Sequence, residues 1–126
     1  MELTPGLKAE LEIIVSPNDT ASQYGSGSLE VFATPAMVAL MEKTAMLCIE
    51  KYLESGQNSV GTEINIKHLK ATPVGTAVLC TAELIEIDRS KLIFAVDVID
   101  NEGIIGQGSH KRFLIDEKQF MSKFTH

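Results

Sequence analysis

Glu42 sits inside the stretch FATPAMVALMEKTAMLCIEKYL, from Phe32 to Leu53, whose first part is almost wholly apolar. On a helix its neighbours three, four and seven residues away are Val38, Ala45, Met46 and Ile49, and three of these are bulky and apolar. A carboxylate in such surroundings is costly unless it is paired. From the helix alone, the plainer reading is an acid at a contact between chains, or one whose charge escapes to solvent beside Lys43. The chemical reading is a general base or a nucleophile. Eight residues earlier, Thr34 precedes Pro35, a pair suited to the N-cap and first position of a helix. A hydroxyl there also stands at the positive end of the helix, where developing negative charge is stabilised.

His68 follows Ile64 and Ile66 in GTEINIKHL and shares their face by strict alternation. A histidine on an apolar face is more often a satisfied core or interface group than a catalyst. Its near-neutral pKa nevertheless makes it the strongest general acid or base here if a carboxylate is close. His110 in GQGSHKRF adjoins the basic pair Lys111 and Arg112, which reads as a solvated strand or as a holder of phosphates. His126 is terminal and expected to be disordered. Cys48 and Cys80 lie in apolar segments and read as buried small hydrophobes without metal-ligand spacing. No phosphate-loop, dinucleotide or nucleophile-elbow signature occurs.

These residues need elements to carry them. Leu7 to Val15 alternates as a half-buried strand, and Ser16 to Ser28 is loop-like. A loop of that length is often a lid or binding segment. From Thr34 nothing interrupts a helix before Gly56, so about 20 residues can be helical. Four alternating segments follow, at 59–69, 77–87, 91–99 and 104–115, separated by TPVG, DRS and DNEG turns. Gly106 and Gly108 weaken the last strand or mark a bulge. Tight turns mean antiparallel neighbours, so the fold class is α+β, one antiparallel sheet against one long helix. The helix is apolar around most of its first half and needs cover on nearly all sides, which a curled sheet supplies. The open sheet edges predict a dimer.

The 126 residues fit a single domain, 1–126, and 44% hydrophobic with 22% charged residues is a globular composition. The longest apolar run, Pro35 to Met41, is far short of the ~20 residues a membrane span needs. The start MELTPGLKAELEIIV lacks the features of a signal peptide, and a cytoplasmic protein is expected. A net charge of −6 argues against nucleic acid, though a phosphorylated small ligand needs only a local basic group.

The pieces FATPAMVALME, SVGTEINIKHLKATPVG and GQGSHKRF resemble the fluoroacetyl-CoA thioesterase-like group of hotdog-fold proteins. The resemblance spans about residues 10 to 115, and the H-x-x-A-T-P-x-G run with its spacing back to Glu42 is its most specific part. It implies an antiparallel sheet curled around one long helix, two copies joined edge to edge, and acyl-CoA hydrolysis at sites between them. Position by position, Thr34, Glu42 and His68 match the family's catalytic threonine, glutamate and histidine. Gly61 matches a glycine near the thioester carbonyl, and Arg112 a basic residue near the site. On this basis Glu42 reads as catalytic. CoA is part of the substrate, and no metal or cofactor is implied.

Thr34 and Glu42 are eight residues apart, or about 12 Å along a straight helix, too far to touch one atom. Either they face different parts of the site, or the chain bends after Pro35, or a partner subunit supplies one of them. The family resemblance also implies an aromatic-lined lid before the helix. Here that region reads ASQYGSGSLEVF, with Tyr24 and Phe32 among small polar residues, so an acyl group other than fluoroacetyl is expected. The competing expectations are another hotdog enzyme, such as a hydratase or dehydratase, and a non-catalytic module binding acyl-CoA or an acylated carrier. Dimers pairing further into tetramers are left open.

Overall fold

A computed structural model describes residues 2–125; the expectation for His126 lies outside them. Alternating side chains in the N-terminal segment make β1, Lys8–Ile14, whose inward residues Ala9, Leu11 and Ile13 pack against the core. Strands β2 (Gln57–His68), β3 (Ala77–Asp88), β4 (Lys91–Asp100) and β5 (Gly103–Asp116) follow the long helix α2, Thr34–Ile49. All five pair antiparallel in one sheet of order β1-β3-β4-β5-β2. The expected strand segments agree with these to within about two residues, the ordinary uncertainty of element ends.

The inward faces of β3 and β4 are regular: Val78, Cys80, Ala82 and Leu84, then Leu92, Phe94, Val96 and Val98, are all buried. Against them lie Met37, Leu40, Met41, Ala45, Cys48 and Ile49 of α2. The helix is thus the centre of the core and the sheet bends round it. A one-turn 3-10 extension, Glu50–Tyr52, continues it toward the expected length. Gly106 and Gly108 do different jobs. The β4–β5 register shifts beside Gly106, where a Cβ would meet the Met37 side chain at 2.5 Å. At Gly108 a Cβ would collide with the Asn65 carbonyl and Ile66 of β2.

Two expectations need correction. Ser16 to Ser28 is not an unstructured loop. It holds a 3-10 turn, Pro17–Asp19, and a single helical turn α1, Ala21–Tyr24, capped by the Thr20 hydroxyl, which accepts from Gln23 N. Ala21 N donates to Val31 O at 2.9 Å and Ser22 N to Leu29 O at 3.1 Å, folding the segment back on itself. Thr34, in turn, is not the N-cap of α2. Ala33 is extended and its carbonyl takes the Met37 N–H at 3.0 Å, so the helix starts one residue earlier. Thr34 then holds the first helical position, which frees its hydroxyl. A last helix α3, Glu117–Ser122, capped by Asp116, has no counterpart in the sequence expectations.

Strand β2 is an edge and is poorly covered. Gly61 to Asn65 are exposed on both faces, including Ile64, which points the same way as the buried part of the sheet. The helix packs chiefly on β1, β3 and β4 and less on β2, whose inner face meets it at Gly61 and His68 but leaves Ile64 exposed.

Candidate active site

The freed Thr34 hydroxyl lies 2.8 Å from His68 Nδ1, at the end of β2. A helix N-terminus and a strand end are brought together because β2 pairs with β5 through His68 opposite Gly106, while Gly106 packs on Met37 one turn into α2. Phe32 is fully buried beside the imidazole, edge to face at 6.4 Å between centroids. The other ring nitrogen, Nε2, is shielded from solvent and has no hydrogen-bond partner. Such groups are rare in folded proteins and call for a missing partner. Burial holds the His68 pKa below its usual value, opposed by the Lys70 backbone, so the ring is neutral at neutral pH. A cleft of about 370 Å³ opens here, lined by Val31, Phe32, Thr34, His68 and Lys70.

Glu42 belongs to a different cluster. Two turns along α2, its side chain is 38% exposed and reaches toward β2 and β5. The Arg112 guanidinium is 3.8 Å from Glu42 Oε2, and His110 Nε2 is 3.9 Å away. Neither is a hydrogen bond, and among the described residues no donor bonds the Glu42 carboxylate. Gly61 lies directly beneath: a Cβ there would stand 2.6 Å from Glu42 Oε2 and 3.2 Å from His110 Cε1. Only glycine leaves room for the carboxylate at this point of β2.

Thr34 and His68 are therefore together, and so are Glu42, Gly61 and Arg112, but the chain does not join the two groups. Helix α2 is continuous from Thr34 through Glu42, so it does not bend to bring them together. Along β2, Gly61 and His68 are seven residues apart, about 23 Å at a strand's rise.

The sequence reading of the basic pair also changes. Lys111 points outward, 3.4 Å from Glu63. Arg112 points inward and is buried, as alternation in β5 dictates. His110, which carried no role in the sequence reading, is buried to 1% exposure. Period-two alternation from the inward Gly108 would have shown that His110 and Arg112 share the inner face. Burial pushes the Cys48 and Cys80 thiols up to about 11, which leaves both inert as nucleophiles. Among the described residues no group of three His, Cys, Asp or Glu could hold a metal ion.

Residues 15–118 match the family described as fluoroacetyl-CoA-specific thioesterase. The chain belongs to this family. It is 42% identical over 94 residues to the fluoroacetyl-CoA thioesterase of Streptantibioticus cattleyicolor, which covers 75% of this chain and 68% of that protein. A solved structure of the fluoroacetyl-CoA thioesterase FlK superposes with a TM-score of 0.92 at 34% identity, covering 98% of this chain and 96% of that one. A hot-dog-like protein from Thermanaerovibrio acidaminovorans, at 19% identity and TM-score 0.89, covers 97% of this chain and 90% of its own and shares the fold alone. The expected hotdog fold, an antiparallel sheet wrapped around one long helix, is the fold of this family member.

Proposed function

We propose that this protein hydrolyses an acyl-CoA thioester to the free acid and CoA, with Thr34, Glu42 and His68 as its reacting groups and Gly61 and Arg112 around the substrate. The observation that carries this reading is the unpartnered, shielded His68 Nε2 on a ring already held by Thr34. With Nδ1 accepting the Thr34 hydroxyl proton, Nε2 carries the ring proton, and no hydrogen bond among the described residues claims it. A thioester in the adjoining cleft is a partner for it.

A thioester is already activated, so hydrolysis needs a nucleophile, support for the oxyanion and a proton for the leaving thiolate. Glu42 supplies the first, either by attacking the carbonyl carbon itself, after which water hydrolyses the acyl-Glu42 anhydride to the free acid and restores the carboxylate, or by taking a proton from the water that attacks. The missing side chain at Gly61 lets the carbonyl approach the backbone, whose N–H supports the oxyanion. As the C–S bond breaks, His68 Nε2–H gives its proton to the thiolate sulfur. No cofactor enters beyond the CoA of the substrate.

The two half-sites meet in a homodimer. The uncovered edge strand supports this reading: a dyad between Ile64 and Asn65 in an antiparallel β2 pair sets Gly61 of one strand opposite His68 of its partner. Each site then takes Glu42 and Gly61 from one protomer and the Thr34–His68 pair from the other. This resolves the 12 Å separation along α2 without bending the helix.

The lid segment supports an acyl group other than fluoroacetyl. Of its aromatic residues, Tyr24 faces solvent and Phe32 is locked in the core, and the rest is small and polar. None of the described helices is long and apolar enough to cross a membrane. With the net charge of −6, this supports a cytoplasmic enzyme acting on a small molecule rather than on nucleic acid or a bilayer.

The test is release of free thiol from a panel of acyl-CoAs that includes acetyl-CoA and fluoroacetyl-CoA. Turnover that depends on Glu42 and His68, without preference for fluoroacetyl, is the expected result. Binding without turnover points to an acyl-CoA-binding module instead. Turnover that survives both Glu42→Ala and His68→Ala rejects the residue assignments.

A further inference from the structure

Arg112 is held by more bonds than its distance from Glu42 requires. Its Nε–H donates to Ser59 Oγ at 2.8 Å and its Nη2–H to the Ser59 carbonyl at 3.0 Å. Its Nη1 lies 3.1 Å from His110 Nε2. A guanidinium has only donors, so Nε2 accepts here. The other His110 nitrogen, Nδ1, lies 2.9 Å from the Glu63 carbonyl, which can only accept, so Nδ1 carries the proton. Both partners thus require the same neutral tautomer. The ring itself is fixed, stacked 6.1 Å from Phe94 at 28° and closed over by the bare Cα of Gly61.

An arginine beside a carboxylate ordinarily closes to a hydrogen-bonded pair at about 2.7–2.9 Å. Here the approach stops at 3.8 Å. The guanidinium contributes positive potential but leaves both oxygens of Glu42 uncovered. A carboxylate locked in a close pair is a poorer base and a poorer nucleophile, because the cation stabilises its ground state.

We propose that His110 is a positioning residue: its Nε2 lone pair, together with Ser59, pins Arg112 short of Glu42 and keeps that carboxylate free to react. The inference rests on the reading of Glu42 as the reacting acid. Remove the lone pair and Nη1 loses its acceptor, while Glu42 Oε2 stands 3.8 Å away, about 1 Å farther off than a hydrogen bond. Arg112 then swings to close the pair.

The test is a double-mutant cycle on acyl-CoA turnover, with nitrogen NMR of the histidine rings. His110→Leu lowers kcat about tenfold or more with KM within about twofold, the mark of a loss confined to the reacting step. His110→Gln, whose amide oxygen can accept from Nη1, recovers most of that loss. In an Arg112→Gln background, where no cation is free to swing, His110→Leu costs less than about threefold. The same loss in both backgrounds, or a loss confined to KM, overturns the proposal. The NMR arm uses the unmutated protein and does not depend on turnover or on a variant folding. Protonated Nδ1 with a hydrogen-bonded, unprotonated Nε2 on His110 at neutral pH is the expected spectrum; a protonated Nε2 overturns the proposal. Absence of thioester turnover in the unmutated protein would reject the proposed function and still leave this spectrum to judge the arrangement of Arg112.

Discussion

His68 and His110 both face inward from strands of one sheet, yet their neighbours prepare them for different work. At His68 a hydroxyl holds one nitrogen and the other has no partner. At His110 both nitrogens are engaged, by a carbonyl and a guanidinium. Thr34 makes the first arrangement and caps nothing, so Thr34→Val separates chemistry from stability. It should lower kcat by about 100-fold, the lower end of what a positioned acid or base contributes, with little change in melting temperature. Gly61→Ala places a Cβ 2.6 Å from Glu42 Oε2. The half-exposed carboxylate can move aside, but the packed His110 ring 3.2 Å from the new Cβ has little room, so melting temperature should fall modestly while kcat falls by at least about tenfold. The acid at Glu42 and the imidazole at His68 were legible as chemically suspicious from residue type and period alone. The Thr34 contact was suggested only by the family resemblance, because a one-residue shift in the helix start moves its hydroxyl from the backbone to a side chain 34 positions away. His110 was hidden for a related reason: the charges beside it suggested a solvated strand, and alternation placed only Lys111 in water.

The elements were legible where local pattern and tertiary demand agree. Alternation gave β1 to β5, most plainly in β1, β3 and β4, whose inner faces lie on the helix. The turn of α1 escaped because glycine and serine around it outweigh its four residues, and a capping threonine with return bonds to Val31 and Leu29 decides the matter. The glycines of β5 were read as weakening the strand or marking a bulge; the register does shift beside Gly106, and both glycines are also close approaches. A methyl at position 108 drives into the β2 backbone, which cannot yield as a side chain would. Gly108→Ala should therefore cost about 1–3 kcal/mol or more in urea unfolding, since overpacking forces the strands apart. Because β2 carries Gly61 and His68, the loss should include activity at temperatures where the fold survives.

At the scale of the whole molecule, the Glu42 cluster and the Thr34–His68 pair lie apart in one chain, and the proposed site joins them across two. Light scattering in solution should give a dimer mass, and Ile64→Glu on the uncovered edge should yield monomers that retain the fold but lose most turnover. Acid should weaken the fold through its buried rings. Burial holds both His68 and His110 below the ordinary value of 6.5, so on acidification the unfolded chain takes up protons first. Stability from these groups is complete above about pH 6.5 and is lost as the pH falls toward the folded values. Melting temperature should drop between about pH 7 and pH 5, and His110→Gln should flatten that slope. The proposed dimer was suggested in the sequence by the open edge and by the family resemblance, and the proposed sharing of the site by that resemblance and by about 12 Å of helix between Thr34 and Glu42.

Complementation between two inactive variants tests that division most directly. Glu42→Ala and His68→Ala, each purified alone, should release almost no thiol from acyl-CoA. Mixed and allowed to exchange subunits, they should regain about a quarter of the unmutated rate, because half the dimers are mixed and each mixed dimer has one complete site. A mixture as inactive as its parts would show that acid and imidazole come from the same protomer and would contradict a site shared between two chains.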